Sequence, residues 1–242
     1  MGGALELDRP HHPLVEKKVG ALREKLLRMG GLAEAILDKA LRALTARDRE
    51  LALAVAADDL VIDRLDVEID RGVLELLALQ APVAHDLRQT IAIKTAALDL
   101  ERVGDLARNI ADSAVRLADT PEIALPASLQ SLADASRRQL SNALTAFADE
   151  DPERARAVLA ADDRVDDDEA AVIRGAIESL RREPERSSAA VDFILIAKSL
   201  ERVGDHATNI AEDVVMAAES VNLKHAQKLG TERGEPPRRS TG

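Results

Sequence analysis

The chain has 242 residues, a formal net charge of −11 and 46% hydrophobic residues, yet its only aromatic residues are two Phe, and it has no Cys. The acidic balance argues against a nucleic-acid surface and suits a cationic ligand or partner, metal ions included. Without cysteine there is no disulfide, thiolate nucleophile or zinc finger, which fits a reducing cytoplasm. A core restricted to Ala, Leu, Val and Ile, in a chain that is 32% charged, favours long, closely packed helices, so the expected fold class is all-α.

The start, MGGALELDRPHH, shows no basic segment followed by an apolar run, and no window holds eighteen consecutive apolar residues. The expectation is a cytoplasmic protein without membrane insertion. Residues 1–13 read as a flexible arm closed by Pro10 and Pro13, with His11 and His12 incidental to it. Helix one is expected from about Leu14 to Ala46, where Leu22, Leu26, Ile36, Leu37, Leu41 and Leu44 recur at helical spacing. After the break at Ala46-Arg47-Asp48, helix two should run from about Arg49 to Leu79. On it Asp59, Asp63, Asp66 and Asp70 form one acidic stripe. Stacked like charges repel by a few tenths of a kcal/mol per pair, a cost that something should offset. Pro82 suits the first turn of helix three, which runs to about Ala118.

Residues 100–112 of that helix read LERVGDLARNIAD, and residues 200–212 read LERVGDHATNIAE, identical at ten of thirteen positions. The chain is therefore a duplicated module. After a Pro121 and Pro126 linker, helices four to six are expected at about Ala127–Ala148, Pro152–Arg182 and Ser188–Val221. Asp162, Asp166 and Glu169 repeat Asp59, Asp63 and Asp66 at an offset of 103. Two domains follow, residues 14–120 and 121–222, with a polar tail at 223–242 that lacks periodicity and reads as disordered.

In each motif Glu101/Asp105 and Glu201/Asp205 stand one helical turn apart on one face. Antiparallel pairing about position 81 sets Glu101 and Asp105 level with residues 61 and 57, close to Asp59 and Asp63. Pairing about position 185 brings Glu201 and Asp205 level with Asp162, Asp166 and Glu169. Several carboxylates a few ångströms apart either bind a hard cation or raise one another's pKa, and metal binding is the economical reading. Gly104 and Gly204 sit mid-helix, each at a cost of about 1 kcal/mol against Ala, which a neighbouring helix approaching closely would explain. Arg102 and Arg202 read as salt-bridging residues, Asn109 and Asn209 as neighbours of the acidic face, and His206 as pointing toward the apolar side.

The Leu-Glu-Arg-Val-Gly-Asp segments at 100–105 and 200–205, with Gln80, Pro82, Ala84, Asp86, Leu87 and Arg88, resemble the PhoU family over roughly residues 14–222. The resemblance implies two tandem three-helix bundles, each carrying a Glu/Asp-x-x-x-Asp motif that holds a metal ion or multinuclear cluster. Carried over, these motifs are Glu101 with Asp105 and Glu201 with Asp205. The ion, divalent or ferric, is left open between iron, zinc, manganese and magnesium; calcium also suits all-oxygen ligands. The implied role is regulation of phosphate uptake, restraining a phosphate-sensing histidine kinase and the high-affinity phosphate ABC transporter, whose ATPase subunit is the expected contact. A homodimer is a further expectation, and catalysis is not expected. Helix one departs from the family in lacking aromatic residues near its start. The enzyme alternative, a ferritin-like di-metal carboxylate site, needs Glu-x-x-His, where this chain has Gly104 and Gly204. Walker, dinucleotide and His-Glu-x-x-His motifs are absent. A metal-free helical scaffold is the remaining alternative.

Overall fold

A computed structural model describes residues 13–120, 124–184 and 187–219. The expected arm up to residue 12, His11 and His12, Pro121, the end of the last helix at Val221 and the C-terminal tail lie outside the described residues. The described chain forms α1 (Pro13–Ala46), α2 (Arg49–Leu53), α3 (Val55–Gln80), α4 (Ala84–Ala118), α5 (Ala127–Asp149), α6 (Pro152–Ala160), α7 (Asp162–Arg182) and α8 (Ser187–Glu219). There is no strand among the described residues.

Each single helix expected between a module's first and last is divided in two, at Ala54 and at Ala161. Both residues keep right-handed helical angles, so the axis shifts without the chain turning back. The turns before these helices are duplicated in detail. Arg47 and Glu150 have φ of 53° and 52°. The amide N of the following Asp bonds five residues back, Asp48 to Ala43 O at 2.9 Å and Asp151 to Ala146 O at 3.0 Å, which closes the end of the preceding helix. Those aspartates then cap the next helix: Asp48 accepts from Leu51 N, and Asp151 from Glu153 N and Arg154 N. A left-handed non-glycine residue costs roughly 1–2 kcal/mol. Arg47 offsets part of that by donating to the carbonyls of Ala118 and Thr120.

Pro82 does not begin helix three. Ala81 takes a left-handed conformation (φ 44°) and Val83 is extended (φ −121°), so α4 starts at Ala84. Proline disfavours the right-handed helical region for the residue before it, which makes Ala81 a stop.

α1, α2 and α3 pack with α4; α5, α6 and α7 pack with α8; and the most extensive interface of all joins α4 to α8. The apolar residues of both halves form one continuous core, running from Leu26, Ile36 and Ile62 through Leu100 and Ile110 to Leu132, Leu200 and Ile210. Because α4 and α8 are covered on several sides, the seam uses small residues, among them Ala92, Ala96, Ala107, Ala111, Ala197, Ala207 and Ala211, all nearly inaccessible to solvent. Backbones of alanine-rich helices approach closely, and dispersion contacts replace bulk.

Polar pairs set the seam's register. Arg116 Nε donates to Asp192 Oδ1 at 2.8 Å, Asn209 Nδ2 donates to Asp99 Oδ1 at 3.0 Å, and Thr95 donates to the fully buried Asp213. These contacts run α4 and α8 antiparallel with the two Glu-Arg-Val-Gly-Asp segments level with each other. A second clamp comes from Arg23 of α1, which pairs with Glu150 at 2.8 Å and donates to Ala148 O at 2.6 Å.

Candidate functional site

The hydrophobic pattern of α4 buries Leu100, Val103 and Ala107, and the motif carboxylates therefore lie on the flank that meets α3. There Lys94 pairs with Asp70 at 2.9 Å, and Arg108 reaches back to Asp59 at 2.7 Å. Glu101 consequently stands near Asp63 and Asp66, two to five residues beyond position 61. Four of the five acids, Asp59, Asp63, Glu101 and Asp105, are the predicted ones. Asp70 is drawn away by Lys94.

In this first cluster Asp59 is 1% exposed, and its Oδ1 lies beneath Gly104. A Cβ at position 104 would meet that oxygen at 2.5 Å and Ile62 Cδ1 at 3.2 Å, so the glycine is there for close approach. Asp59 Oδ1, Asp66 Oδ1 and Glu101 Oε2 are buried and make no hydrogen bond. Burial is the main reason that the carboxyls of Asp59 and Glu101 are raised above their ordinary range. Asp63 and Asp105 push both further up, against Arg108 for Asp59 and Arg102 for Glu101. Arg102 approaches Glu101 at 3.4 Å and Asp105 at 3.2 Å from an exposed position.

The second cluster repeats the plan between α7 and α8. Burial raises Asp166 and Glu201; Asp162, Asp205 and Glu169 add to Asp166, and Asp205, Glu169 and Asp166 add to Glu201, against Lys198. Lys198 pairs with Glu169 at 2.5 Å. Gly204 lies against Gln139 of α5 and Val165 of α7, and Gln139 Nε2 donates to Asp162 Oδ1 at 3.0 Å.

All eight predicted residues, Glu101, Asp105, Asp59, Asp63, Glu201, Asp205, Asp162 and Asp166, thus fall into two clusters of four. Hard oxygen donors with buried, unpaired lone pairs suit a cation. As the side chains stand, no three His, Asp or Glu groups among the described residues converge on one ion position. The backbone brings the donors together; side-chain rotation would have to complete a coordination shell.

Two neighbours behave otherwise than expected. His206 is not turned to the apolar side: its Nδ1 lies 2.7 Å from Asp99 Oδ1, across the seam. Asn209 bonds the same oxygen and so belongs to the seam, not to the acidic face. Sequence reasoning also passed over Arg108 and Gln139. The signal for Arg108 was present, since Arg108/Thr208 is one of only three differences within the repeated thirteen residues.

Gly104→Ala is expected to destabilise by about 1 kcal/mol, as overpacking against Asp59 exceeds the gain in helix propensity. Gly31→Ala, in α1 with open space around its Cβ, should instead stabilise by about 0.5–1 kcal/mol. Urea denaturation of the two variants checks the pair; equal shifts would mean that position 104 has room.

The PhoU domain profile matches the chain twice, at residues 26–114 and 129–214. A phosphate-specific transport system accessory protein PhoU homolog from Caulobacter vibrioides is 36% identical over 197 residues, 81% of this chain and 86% of that protein. One from Pseudomonas aeruginosa is 33% identical over 205 residues, 84% and 85% of the two chains. The crystal structure of PhoU from Pseudomonas aeruginosa superposes with a TM-score of 0.83 at 32% identity, covering 85% of this chain and 99% of that one. The phosphate transport system regulatory protein PhoU from Streptococcus pneumoniae gives 0.81 at 26% identity, covering 86% and 99%.

Proposed function

The chain belongs to the PhoU family, and from that premise we propose that it is a metal-binding regulator of phosphate uptake and phosphate-responsive signalling. Family membership supports a regulatory role in phosphate transport. The finer reading rests on one observation, a duplicated carboxylate cluster that leaves buried oxygens without hydrogen-bond partners, Asp59 Oδ1 and Asp66 Oδ1 in the first copy and Gln139 Oε1 beside Asp162 in the second. The candidate ligands are Glu101, Asp105, Asp59 and Asp63 in the first bundle, and Glu201, Asp205, Asp162 and Asp166 in the second. The ion would neutralise carboxyls that burial and neighbouring acids raise above their ordinary range.

Gly104 and Gly204 stand where a Glu-x-x-His ligand pair would need His, and the relatives are named as accessory and regulatory proteins, so the proposed role is that of an adaptor. Exposed apolar side chains stand on the same helices just before the motifs: Ile91 and Leu98 on α4, Val191 and Leu195 on α8. Apolar residues beside a metal-capped acidic face would make two similar docking surfaces. Their partners in this reading are a phosphate-sensing histidine kinase and the ATPase subunit of the phosphate ABC transporter, met from the cytoplasmic side. No described helix is long and apolar enough to cross a membrane.

The test compares metal-loaded and chelator-treated protein for retention of the purified ATPase subunit and of the kinase's cytoplasmic part. Retention that falls at least tenfold on chelation is expected; equal retention would make the metal incidental to docking. One observation favours the metal-free scaffold instead, the absence of three converged ligands among the described residues. That reading predicts no stoichiometric metal by elemental analysis after incubation with manganese, iron, zinc or magnesium.

A further inference from the structure

We propose that the two clusters are not equivalent: the first carries its cation built in, as the guanidinium of Arg108, and metal loads at the second, where Gln139 supplies a neutral oxygen. This rests on the metal-binding reading above and assigns it to one half of the molecule.

Arg108 Nη1 donates to Asp59 Oδ2 at 2.7 Å and Nη2 to Asp105 Oδ1 at 2.6 Å. One planar group thereby joins a buried carboxylate of α3 to the motif aspartate of α4, the span that an ion would bridge. Arg102 adds a second guanidinium from outside, 3.2 Å from Asp105. An arginine in a two-carboxylate fork keeps its charge at any ordinary pH and presents donors that match both acids. A metal ion would have to displace it.

At the equivalent place the second cluster has Thr208, whose hydroxyl donates to the backbone O of Asp205 and not to a carboxylate. Lys198 pairs with Glu169 and is half exposed. Asp166 is surrounded by Asp162, Asp205, Glu169 and Asp163. The independent sign of a ligand is Gln139, 4% exposed, which donates through Nε2 to Asp162. Its buried Oε1 has no hydrogen-bond partner and lies against Gly204. A buried amide oxygen left unpaired on a side chain that already meets Asp162 is a further hard donor for a cation. The counterpart of Gln139 in the first bundle, at the offset of 103, is Ile36, which has no donor atom.

The test titrates manganese(II) alone into the full chain, reading bound ion by electron paramagnetic resonance and folding by circular dichroism. Tight binding is expected to survive Glu101→Ala with Asp105→Ala and to be lost in Glu201→Ala with Asp205→Ala. Gln139→Leu should weaken it about 10–100-fold, the usual effect of altering a metal's supporting residues. Arg108→Thr should add tight binding that Glu101→Ala with Asp105→Ala removes, while Arg108→Lys should not. Equal loss from both alanine pairs, or no gain in Arg108→Thr, overturns the inference and leaves the metal reading standing. No manganese bound by wild type or by Arg108→Thr overturns that reading, and the inference with it.

Discussion

Arg116→Ala is expected to destabilise the protein by about 3 kcal/mol, among the largest effects of any side chain outside the apolar core. Asp192 is 2% exposed and accepts from Arg116 across the seam between α4 and α8, while Arg116 Nη2 also donates to Ser113 Oγ at 2.7 Å. Removing the arginine leaves a carboxylate in an alanine-rich interface with its main counterion gone. The reverse change, Asp192→Ala, should cost less, about 1–2 kcal/mol, because the half-exposed guanidinium can turn to water. Replacing both, as Arg116→Met with Asp192→Leu, should recover most of the loss, since buried ion pairs often give little net stability over apolar packing. Urea denaturation of the four proteins measures these differences. If Arg116→Ala and Asp192→Ala each cost under about 0.5 kcal/mol, the pair does not hold the seam.

The second large effect is a metal-dependent stability whose size changes with pH. The folded-state pKa values of Asp59, Glu101, Asp166 and Glu201 are raised, chiefly by burial and then by neighbouring carboxylates. In the unfolded chain these groups titrate near pH 4. Between the unfolded and folded values the native state holds more protons, so stability falls as pH rises. The contribution is complete below about pH 4 and lost once the folded values are passed. Chelated protein should therefore lose stability from these groups on going from pH 4 to pH 7.5.

Bound cation reverses the sign, because ionised carboxylates are what it binds. The difference in stability between loaded and chelated protein should widen with pH, reaching about 2.7 kcal/mol at a metal concentration a hundred times Kd. Asp166→Asn with Glu201→Gln should stabilise the chelated protein at pH 7.5 by on the order of 1 kcal/mol, relieving several like-charge pairs, and flatten its pH slope. Thermal melts with and without metal at the two pH values measure this. A gap that stayed constant or narrowed would rule out the carboxylates as ligands.

Much of the site was legible because its logic is local to one helical hairpin. Helical spacing set the acidic stripe on α3 and the motif on α4, and an antiparallel turn placed them at matching heights. The repeat then supplied a second, independent copy. Gly104 could be read as a point of close approach because a mid-helix glycine costs helix stability and needs a reason. The seam was less visible, since Asp99 meets His206 and Asn209 through a packing choice that hydropathy does not encode. Its trace lies in the positions where the copies disagree: Ala92 against Asp192, Asp99 against Ser199, Leu106 against His206, Ser113 against Asp213. These residues sit where each half meets the other. Arg108 is less legible for a related reason, since it is marked only by a difference between the copies, Arg108 against Thr208.

The antiparallel seam also bears on how the duplication can be undone. Pairing two copies of the first half in the same register would leave Asp99 facing Leu106 without an imidazole and Arg116 facing Ala92 without an acid. Two copies of the second half would bury Asp192 and Asp213 away from Arg116 and Thr95. Each self-pairing strands a buried charge, while the mixed pairing satisfies both. Severed between residues 120 and 124, the halves would select each other over themselves, so a chain that began as a repeat has become an obligate heterodimer on one backbone.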